Sequence, residues 1–64
     1  MEQIVLIGGQ ANGSVVYVET GVASYYQIAR LNEGVTIERY VRILHERENG
    51  RHVFRHQFMT GEVE

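Results

Sequence analysis

Between Val35 and His45 the chain alternates: Val35, Ile37, Val41, Ile43 and His45 fall on one side of an extended backbone, broken only by Arg39. Thr36, Glu38, Tyr40, Arg42, Leu44 and Glu46 fall on the other. A helix would spread both sets around its axis, whereas successive strand side chains point to opposite faces, so the period of two predicts a strand near 35–46 with the Val/Ile row toward the core. Two shorter apolar runs, Ile4-Val5-Leu6-Ile7 and Val15-Val16-Tyr17-Val18, are bounded by Gly8-Gly9, Asn12-Gly13 and Thr20-Gly21. Runs rich in β-branched residues between turn residues predict strands near 3–8 and 14–20. A last strand, near 51–59, follows Asn49-Gly50, the dipeptide that most readily supplies the two positive φ angles of a tight hairpin.

That hairpin has two registers. A type I′ turn centred on Asn49-Gly50 sets Glu48 opposite Arg51, His45 opposite Phe54, Ile43 opposite His56 and Val41 opposite Phe58. A type I turn with Gly50 as a bulge residue shifts the pairing by one and flips the second strand. The first is preferred because it groups Val41, Ile43, Phe54 and Phe58. Residues 25–31 are ambiguous: Tyr-Tyr-x-Ile suits a strand, while Ser24 with Gln27 three residues on resembles a helix capping box.

The pattern therefore predicts an all-β fold, a five-stranded antiparallel meander, curled or partly closed, spanning residues 1–60 with a frayed tail at 61–64. The alternative is an α+β arrangement, ββαββ, with a short helix near 25–33. Sixty-four residues hold one domain. A core of this size rarely supplies more than about 3–5 kcal/mol of net stability, and with no cysteine neither a disulfide nor a thiolate metal site reinforces it. Self-association is the expected reinforcement. No stretch reads as a signal peptide or a membrane span, so the expected location is the cytoplasm, away from membranes.

The charge is polarised more than it is large. The net charge is −2; all six basic residues are arginine and all eight acids glutamate. Five arginines and all three histidines lie between residues 39 and 56, while the first 38 residues are acidic. Such asymmetry points to an anionic partner or to the acidic half of a second subunit.

Candidate chemistry is sparse. Gly8 to Gly13 follows a strand, as phosphate-binding loops do, but neither dinucleotide nor P-loop spacing fits and no lysine exists. A hairpin loop is the plainer reading, although its amides could still cradle an anion. His45, His52 and His56 are better explained as histidines at a core margin than as metal ligands, so no cofactor and no metal is expected. Without aspartate or cysteine, and with Ser14 and Ser24 untied to any histidine, no catalytic residue is assigned and an enzyme is not expected. The strand face bearing Tyr40, Arg42, Leu44, Val53, Arg55 and Met59 mixes the residue types enriched at interfaces, and is the expected binding surface. Arg42, Arg55 and Tyr40 also allow a nucleic-acid or nucleotide reading, which a pI near 5.9 disfavours.

The opening Ile4-Val5-Leu6-Ile7-Gly8-Gly9, then Asn12-Gly13 and Val15-Val16-Tyr17-Val18, resembles the start of small accessory proteins of tailed bacteriophages, which run strand, Gly-Gly-Pro-x-Asp-Gly, valine-rich strand. Gln10 and Asn12 depart from the proline and aspartate common there. The resemblance covers about the first 18 residues. It implies an accessory protein acting inside a bacterium, with no established activity to carry over; joined to the expected self-association, the reading is a non-catalytic protein that oligomerises and binds or inhibits a host protein.

Overall fold

A computed structural model of the chain describes residues 1–57. Five strands follow one another: β1 (Glu2–Ile7), β2 (Val15–Val18), β3 (Ser24–Leu31), β4 (Gly34–Glu48) and β5 (Arg51–Gln57). They form one sheet in the order β2-β1-β5-β4-β3, nearly closed into a barrel. The all-β expectation holds, and residues 24–31 are strand rather than helix. The meander order is corrected: β1 lies between β2 and β5 and pairs with β5 in parallel, so β2 and β3 become the two edges. The physical reason lies in β1 itself. Its continuous apolar run leaves Ile4, Val5 and Leu6 buried on both faces, which a central strand satisfies and an edge strand does not. Among the described residues no helix is long and apolar enough to cross a membrane.

The β4–β5 hairpin turns as expected, then departs from its register. Asn49 and Gly50 have φ of 52° and 81°, the two positive angles of a type I′ turn, and Glu48 lies opposite Arg51. After Arg47 opposite His52, however, the next pair is Ile43 with Val53, so Leu44, His45 and Glu46 bulge out of the ladder. Three unpaired residues, an odd number, exchange the faces of β4 relative to β5. Tyr40 then lies opposite His56, Arg42 opposite Phe54 and Val41 opposite Arg55; the expected partners of Ile43 and His45 are displaced, and Phe58 lies outside the described residues.

This exchange decides what the core is made of. Paired residues share a face, so Ile4, Leu6, Val18, Tyr40 and Phe54 come together inside the curled sheet, with Ala11, Val16, Val22 and Tyr25 packed around them. The Val/Ile row of β4, expected inside, faces outward: Val35 is 62% and Ile37 55% exposed.

Candidate functional site

The glycine loop between β1 and β2 is held by side chains from β4. The Gln10 amide donates to both carboxylate oxygens of Glu38, at 3.0 and 3.2 Å. The Ala11 amide donates to the Tyr40 hydroxyl at 3.3 Å. That hydroxyl lies 2.9 Å from the Gly8 carbonyl and 2.8 Å from Glu38 Oε1, one proton between two acceptors. Gly8 donates to Asn12 Oδ1, and the amides of Gly13 and Ser14 bond carbonyls of Leu6 and Ala11. The amides of Gly8, Gln10, Ala11, Asn12, Gly13 and Ser14 are therefore turned to the chain's own acceptors, and the carboxylate at the Gln10 amide is Glu38. Burial, seconded by the Glu38 hydrogen bond, raises the Tyr40 phenol above its ordinary value.

At the other end of the barrel, Arg42 is drawn inside by three partners. Its Nη2 donates to Glu2 at 2.6 Å, its Nε donates to the Val22 carbonyl at 2.8 Å, and its guanidinium carbon lies 4.9 Å from the centre of the Phe54 ring. Glu2 also accepts from the Gly21 amide at 2.9 Å, so the pair fastens the β2–β3 connection to the sheet. The Arg42 hydrogen bond, then the Gly21 amide, hold the Glu2 carboxyl below its ordinary range.

These networks hold two residues of the expected binding surface, Tyr40 and Arg42, inside the barrel. Tyr40 is fully buried, Arg42 is interior and Val53 is 4% exposed. Leu44 projects from the bulge at 80% exposure, and Arg55 pairs with Glu46 at 3.0 Å on the outside. Arg42 and Arg55, expected on one face, lie on opposite faces because of the bulge. Met59 lies outside the described residues. The histidines are likewise not assembled: His52 and His56 face inward, with His56 against the Tyr40 ring at 5.4 Å, while His45 sits in the bulge.

What the fold assembles instead is the outer face of the β3–β4 hairpin. Ile28 lies opposite Ile37, Tyr26 opposite Arg39 and Arg30 opposite Val35. Tyr26 is 57% and Ile28 65% exposed. The four apolar residues Tyr26, Ile28, Val35 and Ile37 form a contiguous patch with Arg30 and Arg39 at its ends. One signal in the sequence marked this face: Arg39 interrupts the Val/Ile row, and a cation without a nearby acid disfavours a fully buried row, although the structure half-buries Arg39 with its Nε unpartnered.

No protein-family model matches the chain, and no similar curated protein or solved structure was found.

Proposed function

We propose that this is a non-catalytic binding protein whose contact surface is the outer face of the β3–β4 hairpin. The exposed cross-strand pair Ile28 and Ile37, extended by Tyr26 and Val35, carries the proposal. Contiguous apolar surface of this kind on a small domain marks a site of association, because each such group left in water forfeits burial energy that a partner restores. The resemblance of the opening residues to phage accessory proteins supports a host protein as the target, met in the bacterial cytoplasm.

The test compares the wild-type chain with Ile28→Glu/Ile37→Glu as baits for a bacterial lysate with and without nuclease, after far-UV circular dichroism has shown equal unfolding midpoints. The expected result is a protein retained by the wild type and lost by the variant. Equal retention by both baits overturns the assignment of the face, and a species released by nuclease moves the face to nucleic acid.

A further inference from the structure

The edge of β3 carries this reading of the face further, and rests on it. In an antiparallel strand a residue's N–H and C=O point to the same side, and alternate residues point to opposite sides. The Ala23 carbonyl accepts from the Arg42 amide at 3.0 Å, so odd positions turn toward β4. Arg30 shows where even positions turn. Its amide donates to Gln10 Oε1 at 3.1 Å, and its carbonyl accepts from Gln10 Nε2 at 2.7 Å. The Gln10 carboxamide thus pairs with the outer edge of β3 as a peptide group of a neighbouring strand would. Ser24, Tyr26 and Ile28 present the same outward N–H and C=O pairs, and no strand of the described residues covers them.

At the Ile28 end of this edge lies a cleft of about 270 Å³ lined by Gln10, Ala11, Ser14, Gln27 and Ile28. The side chains flanking it define that chain's chemistry. Tyr26 and Ile28 offer apolar neighbours, and Arg30 is exposed with no ion-pair partner among the described residues. Glu38 turns inward to the glycine loop, leaving the outer face of the hairpin cationic at Arg30 and Arg39. A second copy offering its own β3, Ser24–Leu31, brings no carboxylate to either arginine.

We propose that the β3 edge takes an extended acidic segment of a partner protein as a sixth strand, its backbone paired to Ser24, Tyr26 and Ile28, apolar side chains beside Tyr26 and Ile28, and a carboxylate on Arg30.

The probe is a fluorescein-labelled peptide with threonine at every second position and valine, valine and glutamate at the positions between, so that all three lie on one strand face as Tyr26, Ile28 and Arg30 do, titrated into the full chain by anisotropy. Its comparators are the same peptide with lysine for glutamate, the same peptide N-methylated at alternate amides, and oligodeoxythymidine. The acidic peptide should bind about tenfold or more tighter than the lysine peptide, N-methylation should abolish binding, and the amides of Tyr26 and Ile28 should become protected from hydrogen exchange. Tyr26→Pro removes an outward N–H but no ladder bond, so it should fold and lose binding beyond the loss shown by Tyr26→Ala. Equal binding of the acidic and lysine peptides, or unchanged exchange at Tyr26 and Ile28, overturns the inference, as does preferential binding of the oligonucleotide. Binding that survives N-methylation and Tyr26→Pro but is lost in Ile28→Glu/Ile37→Glu overturns the edge while leaving the face in place. Failure of the lysate comparison overturns the face itself.

Discussion

Gly9→Ala and Gly13→Ala look equivalent on the backbone, since both glycines have positive φ, 67° and 88°. Each substitution should lose about 1 kcal/mol to the left-handed conformation alone. Their surroundings differ. A Cβ on Gly13 meets nothing within 4 Å, whereas one on Gly9 would stand 2.5 Å from the Tyr40 hydroxyl and 2.6 Å from Glu38 Oε1. The Tyr40 ring is fully buried and cannot withdraw, so the substitution must break the hydroxyl's bonds to Gly8 and Ala11. Tyr40→Phe removes those bonds directly, at about 1 kcal/mol each and so about 2 kcal/mol together. Gly9→Ala should then cost about 3 kcal/mol, the backbone penalty plus the same two bonds. The double variant should also cost about 3 kcal/mol rather than the additive 5, because the bonds can be lost only once. Urea unfolding followed by far-UV circular dichroism, with sucrose in all samples to keep the weakest variant folded, measures this cycle. Additivity within about 0.5 kcal/mol, or Gly13→Ala as damaging as Gly9→Ala, refutes the role assigned to the hydroxyl.

Other outcomes follow from the two networks and the loop bridge. The folded Glu2 carboxyl titrates below its unfolded value of 4.5, so the stability it contributes is complete above that pH and is lost as pH falls through the lower folded value. Glu2→Gln should flatten the acid limb of the unfolding midpoint against pH, and an unchanged limb rejects the Arg42 pairing as its cause. For Tyr40 the sign reverses: its folded value is raised, so stability is complete below the unfolded value of 10.0 and falls as pH rises through the folded one. One of the four tyrosines should therefore ionise late in an ultraviolet titration, and Tyr40→Phe should abolish that late step. Gln10→Ala should speed hydrogen exchange at the Arg30 amide by about tenfold with little effect on Ala29, since among the described residues it is Arg30 that bonds the carboxamide.

Much of the local structure is written in the chain. The period of two in β4, the apolar runs of β1 and β2, and Asn49-Gly50 with its two positive φ angles depend on residues a few positions apart, and each strand and turn formed where those residues stand. The exposed face was legible only through Arg39, an arginine in an otherwise apolar row. Which row of β4 faces inward was not a local property, because both rows mix apolar and charged side chains. Contacts distant in sequence decided it: Arg42 with Glu2, forty residues away, and Tyr40 with Gly8, thirty-two away. By satisfying an arginine and a phenol inside the barrel, these partners let the Tyr40/Arg42 row be buried and the Val/Ile row be turned to solvent. The bulge at Leu44, His45 and Glu46 accommodates that choice on β4 while the type I′ turn keeps its own register. The parallel pairing of β1 with β5 belongs to the same level, since a doubly buried strand needs neighbours on both sides and only the assembled sheet supplies the second. The sequence by itself determined four of the strands and the Asn49-Gly50 turn and left residues 25–31 open between strand and helix; the closing of the barrel decided that element and which residues the strands turn to solvent.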